Sequence, residues 1–454
     1  MKTFLLILLI TTSMNLELRA QENIKRFDWD GMEVVWLQDE RFPTYALSIY
    51  FADGALADHP QRRGETAATL NLLTAGTRRF DHRAIAENLE FYGASYAPYV
   101  THEYSTYSIS GLTKDLIPTV KKICHLFADA SFPEPQVNIE KNRAIESLTS
   151  LVSDHGSLAS RAIRELSMAG SAYGVPVSGK IADMKRIQPT HLSQKLSYLN
   201  EKVQKRIYLT GPESVLAVQR VFNEECGWKN QKDLYVRAGV EIKIEPQDKL
   251  KIILIPVPNA NQAQVRFGRF LTKSMTSPDE VVTLTSDHLG SGFTSVLMTE
   301  LRTKRGLTYS TGAFAAAQRD YGRSGISTST KNENLAELLN VIKASLKEMS
   351  EGKINTDHLA RTQKGLAGSY PFRFESSMNY LSQILLLDHQ GRDLSELYKF
   401  QERVLKIKQD EVQRMTTNLF DWDQMVLVVV GDKSLEKTLK EFGPVQVMRP
   451  DSVL

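Results

Sequence analysis

The stretch Gly290-Ser-Gly-Phe-Thr-Ser-Val-Leu-Met-Thr-Glu-Leu-Arg-Thr-Lys-Arg-Gly-Leu-Thr-Tyr-Ser310 decides the fold of this 454-residue chain. Its apolar side chains fall at i, i+3, i+4 and i+8, the spacing of one helix face: Phe293, Val296, Leu297 and Leu301. Basic residues end this helix, Gly306 stops it, and an extended run begins at Leu307. The pattern predicts that Arg305 and Tyr309 share a helix-to-strand corner, where a guanidinium and a phenol can aim donors at one oxyanion.

The same corner has a purely structural interpretation. Basic side chains favour a helix C-terminus through its dipole, and a tyrosine that follows can serve packing alone. Spacing alone favours this second interpretation. A phosphate cradle at Gly290-Ser-Gly292 is not predicted, because a third glycine and a preceding strand are both missing.

The chain also shows an internal duplication. Extended runs at 32–37 and 46–51 lead to Gly54, and runs at 250–255 and 264–267 lead to Gly268, an offset of 214 residues. Each half then has a second extended run, at 105–110 and 325–330, and closes on a strand and glycine, at 207–211 and 426–431. These repeats predict an α+β protein of two homologous halves, with a linker at 229–249.

Composition and the N-terminus suggest an exported protein. The formal charge of +3 excludes a strongly basic field, so neither a nucleic-acid partner nor a polybasic membrane anchor is expected. Residues 1–20 have a positive end, a short apolar centre and small residues, which predicts a signal peptide without a membrane span and a periplasmic or secreted location. In such a compartment Cys124 and Cys226 can pair, but the apolar helix face around Cys124 favours an unpaired, buried role.

The sequence holds no recognisable hydrolase signature. The nine histidines are never closer than 20 residues, so no two share a helix face as zinc ligands do. His102-Glu103 begins like a zinc motif, but Thr106 stands where the second histidine belongs. Neither a Gly-x-Ser-x-Gly elbow nor a Gly-x-x-x-x-Gly-Lys loop is present.

The stretch 290–310 nevertheless resembles the second-half signature of the pitrilysin or insulinase metallopeptidases, also called inverzincins. The segments Gly368-Ser-Tyr-Pro-Phe-Arg-Phe-Glu375, Val430-Gly-Asp432 and Leu112-Thr-Lys-Asp115 are similar as well. The resemblance runs over nearly all of the chain after the signal peptide. It implies two pitrilysin-type domains at 21–228 and 250–454, each a mostly antiparallel sheet flanked by helices, arranged as half of a clam shell.

The resemblance also shows what the first half has lost. Active members carry His-x-x-Glu-His between a glycine and a Gly-Thr pair. Alignment of Gly64 and Gly76-Thr77 puts Ala67 and Asn71 at the histidines and Leu70 at the general-base glutamate. The third ligand of the family falls near Thr149, with Glu146 one turn away, where a solvated carboxylate is expected. No zinc or other cofactor is therefore expected on this chain, and Ala67, Leu70 and Leu73 are expected to form an apolar stripe.

Family members of bacteria and the processing peptidases divide their site between two subunits. One carries zinc, and the other contributes an Arg and a Tyr that hold the substrate carbonyl; Arg305 and Tyr309 match that pair. The resemblance thus favours the functional interpretation of the corner. It implies a zinc-less subunit, inactive alone, whose zinc-bearing homologous partner completes an endopeptidase for unfolded peptides. A non-catalytic peptide-binding or scaffold protein of the same fold is the alternative.

Overall fold

The computed structural model describes residues 23–228, 231–244 and 247–454. The predicted signal peptide lies outside these ranges, as do four residues of the predicted linker. The described strands are β1 (Ile24–Trp29), β2 (Met32–Gln38), β3 (Thr44–Phe51), β4 (Ser95–Val100), β5 (Ser105–Leu112), β6 (Lys205–Gly211), β7 (Lys251–Pro256), β8 (Gln262–Thr272), β9 (Thr311–Ala317), β10 (Tyr321–Lys331), β11 (Val426–Gly431) and β12 (Val445–Val447).

The described α-helices cover the connections between these strands. They are α1 (Glu65–Asn71), α2 (His82–Phe91), α3 (Leu116–Asp129), α4 (Glu134–Ser150), α5 (His155–Ser167), α6 (Ile181–Arg186), α7 (Pro189–Glu201), α8 (Val218–Glu224), α9 (Asp279–Gly290), α10 (Leu335–Ser350), α11 (Thr356–Ser369), α12 (Ser377–Gln390), α13 (Ser395–Lys406), α14 (Gln409–Phe420) and α15 (Leu435–Leu439).

The strands form two six-stranded sheets, ordered β1-β2-β6-β3-β5-β4 and β12-β7-β11-β8-β10-β9. In each sheet one central pair is parallel, β2 with β6 and β7 with β11, and the next three pairs are antiparallel. The predicted α+β class with two mostly antiparallel sheets flanked by helices is confirmed. The sheets differ only at one edge, where β1 is antiparallel to β2 and β12 is parallel to β7.

Burial explains why the central strands lie where they do. β11 is Val-Leu-Val-Val-Val-Gly and is buried along its whole length, as a strand covered on both faces requires. The edge strand β4 is largely exposed and contains Pro98, which donates no hydrogen bond to a ladder and is tolerated at an edge. The hydrophobic runs of the sequence thus occupy the middle of each sheet.

The chain divides into two compact units, one for each sheet. Within the described ranges, the first holds the residues up to 145 together with those of 177–238 and 373–387, and the second holds those of 146–176, 239–372 and 388–454. Helix α5 therefore belongs to the second unit, where it packs on β8 and β11. Since the units interleave along the chain, they do not test the linear boundaries 21–228 and 250–454.

Cys124 and Cys226 form a disulfide within the first unit. The expectation of an unpaired Cys124 is therefore wrong. The apolar face of α3 does bury Cys124, as its spacing predicts, but burial does not exclude a partner. The partner comes from the residues just after α8, a contact that a separation of 102 residues conceals in the sequence.

The described helices include none that is long and apolar enough to cross a membrane.

Candidate functional site

Helix α1 covers the positions that the resemblance aligns with the zinc motif of active family members. Gly64, in the left-handed region at φ 89°, precedes the helix. Leu70 is 1% exposed and Leu73, in the 3-10 turn that follows, is fully buried, whereas Ala67 is half-buried and Asn71 is exposed. The helix thus packs through its leucines, and Ala67 contributes less to the stripe than its spacing suggests.

Two buried carboxylates fix the start of α1. Asp58 accepts hydrogen bonds from the amides of Gly64 (2.8 Å) and Thr66 (3.1 Å), and Glu65 pairs with Arg62 at 2.8 Å. Lys195 of α7 lies 3.4 Å from Asp58 and 3.5 Å from Glu65. Burial raises the pKa of Asp58 although Lys195 opposes that shift. Both carboxylates are occupied by amides and cations, so they stabilise the helix start.

The position of the third ligand is also unsuited to a metal. Glu146 and Thr149 lie on exposed positions of α4. Within the described ranges no three His, Cys, Asp or Glu side chains come together as a possible metal site. The residues at the motif positions, an alanine, a leucine and an asparagine, do not fit zinc either.

The second-half stretch is built from two tight turns around a short helix. Gly290, the last residue of α9, lies so close to Ala313 of β9 that a Cβ would clash with it. Gly292 and Gly306 adopt left-handed φ angles of 78° and 65°. Between these two glycines, residues 296–303 are helical, and Met298–Thr303 has π-helical geometry. π-Turns occur frequently at functional sites.

The predicted helix face is wrong at its first position. Phe293 is 77% exposed, because the chain leaves the turn at Gly292 and becomes helical only at residue 296. Its ring instead lies 5.6 Å from the guanidinium of Arg302. Leu297 and Leu301 are fully buried, as their spacing predicts. The predicted extended run also starts later, at Thr311 rather than Leu307.

Arg305 is held by Glu300. Its Nη1 donates to the backbone oxygen of Glu300 at 2.9 Å and to Oε2 at 2.6 Å, and Lys304 reaches Oε1 at 2.6 Å. Partial burial acts to raise the pKa of Glu300, but the hydrogen bonds from Lys304 and Arg305 outweigh it and lower the pKa. The guanidinium has five donors. Nη2 and Nε of Arg305 have no partner in the described part of the chain, so they are available to a ligand.

Tyr309 stands on a loop that β10 braces from one side. Thr330 donates to the backbone oxygen of Leu307 at 2.7 Å, and Thr328 donates to that of Ser310 at 3.0 Å. Thr308 also donates to Ser310, at 2.8 Å. Tyr309 itself is 86% exposed. The structure thus presents Tyr309 on a fixed backbone, with Arg305 four residues before it on the same unit.

Three supporting residues were missed by the sequence analysis: Glu300, Thr328 and Thr330. Glu300 precedes Arg305 by five residues, outside the ordinary i, i+4 helix spacing, and the π-turn lies between them. The two threonines alternate with Ser327 and Ser329 in the run at 325–330 that the internal duplication predicted as extended, and in a strand this alternation is the signal for a shared face. This alternation predicts that Thr328 and Thr330 share one face of the strand, but it does not identify the loop that they contact.

The duplicated sheets and the glycine-bounded turn define an M16-type peptidase fold. Residues 207–366 match the family model described as the peptidase M16 inactive domain. A crystal structure of a peptidase M16 inactive domain from Pseudomonas fluorescens superposes with a TM-score of 0.79 at 20% identity, covering 90% of this chain and 98% of that one. The resemblance to pitrilysin-type peptidases is thereby confirmed.

Two curated relatives extend the similarity. The non-peptidase homolog YmxG of Helicobacter pylori is 20% identical over 444 residues, which are 96% of this chain and 100% of that protein. An uncharacterized zinc protease of Streptomyces coelicolor is 22% identical over 358 residues, 74% of each chain. The similar proteins thus include both a non-peptidase and a protein named as a zinc protease.

Proposed function

We propose that this chain is the exported, zinc-less subunit of a heterodimeric zinc metalloendopeptidase. A homologous partner supplies zinc and the general base, and this chain supplies Arg305 and Tyr309 to bind the carbonyl of an unfolded peptide substrate. The observation that carries the proposal is the contrast between the two halves. Helix α1 has no zinc ligand at its motif positions, whereas Tyr309 is exposed on a loop whose backbone is braced by β10.

The chemistry assigned to this chain is electrostatic. As water attacks the scissile carbonyl, negative charge develops on the carbonyl oxygen, and donors fixed in advance stabilise it most in the transition state. The Tyr309 hydroxyl and the remaining donors of Arg305 have this role. Glu300 orients the guanidinium through Nη1, so the arginine loses less side-chain entropy when substrate binds.

The decisive experiment is peptide cleavage by the reconstituted complex. The native protein is first affinity-purified from the compartment to which it is exported, and its zinc-bearing homologue is identified and coexpressed. Tyr309→Phe is expected to lower kcat/KM about 100–1000-fold, the usual cost of one oxyanion donor. Tyr235→Phe removes an exposed phenol of the first unit and serves as the matched control.

A second pair of variants tests the arginine. Arg305→Ala and Lys304→Ala remove the same charge, and both side chains bind Glu300. Only Arg305→Ala is expected to lower kcat/KM by a comparable factor, because only Arg305 is assigned to the substrate. Near-wild-type turnover of Tyr309→Phe in an active complex would refute the proposal.

The alternative is a non-catalytic peptide-binding or scaffold protein of the same fold. The relative from Helicobacter pylori that is named a non-peptidase homolog favours it. Under this alternative, affinity purification brings down no zinc-bearing homologue, and the complexes obtained have no zinc-dependent cleavage of unfolded peptides. Zinc stoichiometry of the purified chain tests the remaining possibility of independent activity.

A further inference from the structure

A cavity of about 410 Å³ opens in the first unit, between helices α2 and α3 and the loop 77–80. Its floor is apolar and consists of Ile85 and Leu89 from α2 and Leu126 from α3, all of them buried. Phe80 lines the cavity with a ring that is 47% exposed. The volume and the mixed lining are those of a small-ligand pocket.

Cations dominate the polar part of this cavity. Arg78 is neutralised by Asp129 in an ion pair, and Lys122 lies 5.8 Å from the centre of the Phe80 ring. Neither Arg79 nor Lys122 has a carboxylate partner in the described ranges of the chain. The cavity therefore offers two unneutralised cations beside an apolar floor, and this combination favours an anion with an apolar body.

The cavity walls are fixed before any ligand arrives. Thr77 donates its amide to the backbone oxygen of Phe80 at 2.8 Å, and its Oγ1 accepts from the amide of Phe80 at 3.0 Å. The disulfide at Cys124 anchors α3 on the helix turn that carries Lys122. A preformed pocket binds without the entropic cost of ordering its own loops.

We propose that this pocket binds the C-terminal residue of a peptide. The apolar side chain of that residue packs on Ile85, Leu89 and Leu126, and its free carboxylate pairs with Arg79 and Lys122. Asn88 donates Nδ2 to the backbone oxygen of Ala84 at 2.6 Å, which leaves Oδ1 as an acceptor for the peptide N–H. That acceptor favours a peptide over a fatty acid, which has no N–H to donate.

The probe is N-acetyl-alanyl-phenylalanine, titrated calorimetrically into the full chain. Its free acid is expected to bind at least about tenfold more tightly than its C-terminal amide, because the amide lacks the charge-assisted hydrogen bonds. Equal affinities of acid and amide overturn the proposal. Laurate is titrated in parallel, and tighter binding of laurate than of the peptide acid overturns the peptide assignment in favour of a fatty acid.

Variants locate the binding. Arg79→Ala and Lys122→Ala are each expected to weaken the binding of the peptide acid about tenfold. Ala128 lies at an exposed position of the cavity lining, so the larger side chain of Ala128→Trp is expected to fill the cavity and abolish binding. Arg83→Ala removes an exposed α2 charge that pairs with Glu87 outside the pocket and leaves the affinity unchanged. Unaltered affinity in all three pocket variants refutes the site. The binding uses this chain alone, so it is independent of the proposed peptidase partnership.

Discussion

At the scale of single residues, His288 has the most unusual environment among the described histidines. It lies on α9, is 1% exposed, and its ring centre is 4.3 Å from that of His358 on α11. Burial, reinforced by His358, lowers the pKa of His288 to about 4, while burial and then Arg361 lower the pKa of His358. The folded protein therefore holds His288 neutral at pH values where an exposed histidine is charged.

This environment predicts a loss of stability in weak acid. Below about pH 6.5 the unfolded chain binds a proton at residue 288, whereas the folded chain does so only near pH 4. The free energy of unfolding therefore falls as the pH drops through this window, by about 3 kcal/mol for a shift of this size. Urea unfolding of the wild type and of His288→Asn at several pH values measures the difference.

The outcome at position 288 has a clear control. His82→Asn removes an exposed histidine and is expected to keep the wild-type pH dependence, whereas His288→Asn has a shallower one between pH 6.5 and 4. Parallel profiles for the wild type and His288→Asn contradict the assignment.

Residue-level prediction from sequence succeeded where a pattern was local. Leu297 and Leu301 lie four residues apart, and both are buried as their helical spacing predicts. The contact between His288 and His358 joins residues 70 apart, and no periodicity links them. Whether Arg305 and Tyr309 bind substrate stays a prediction.

At the scale of elements, the central strands followed from the sequence and the edge strands did not. The predicted run at 426–431 coincides with β11, and the run at 32–37 is within one residue of β2. The missed strands are β1, β4 and β12, and β9 starts at Thr311 where the sequence predicted an extended run from Leu307. β9 is Thr-Gly-Ala-Phe-Ala-Ala-Ala, and β4 is mostly exposed. Such edges lack the buried β-branched residues from which strands are recognised, and only pairing with a neighbour defines them.

β10 gives a prediction at this scale. Thr328 and Thr330 support the backbone of the loop with Tyr309 through their hydroxyls, so Thr328→Val and Thr330→Val leave Ser310 and Leu307 carbonyl oxygens without these donors. Each change is expected to cost about 1 kcal/mol of stability and to speed amide hydrogen exchange in residues 307–310.

The alternating serine of the same strand provides the comparison. Ser329 lies on the opposite face of β10, where its side chain is half-buried. The variant Ser329→Ala is expected to leave amide hydrogen exchange in residues 307–310 unchanged. If amide hydrogen exchange in residues 307–310 is equally fast in Thr330→Val and Ser329→Ala, the Thr330 hydroxyl does not brace the loop.

At the scale of the whole molecule, the duplication was readable because both halves kept their hydrophobic runs in the same order. A comparison of the two halves along the sequence could not predict that each unit is built from segments that alternate along the chain. Residues 146–176 precede the first closing strand in sequence, yet they belong to the second unit. Their helix α5 is amphipathic, and such a pattern specifies that a face is buried but not which sheet buries it.

The disulfide gives the prediction that concerns the chain as a whole. It joins residues 102 apart within the first unit, and closing a loop of that length restricts the unfolded chain. Removing it in the double variant Cys124→Ser/Cys226→Ser is expected to cost about 2–5 kcal/mol. Urea unfolding of the wild type with and without dithiothreitol is expected to show the same loss of stability. The double variant is expected to be insensitive to the reductant, and it serves as the control.

Hydrogen exchange is expected to show faster exchange of backbone amides in the first unit when the disulfide is removed. Such bonds form in oxidising compartments, so protein isolated from its native cells is expected to contain no free thiol by Ellman titration. Two free thiols, or equal urea midpoints with and without reductant, contradict the bond.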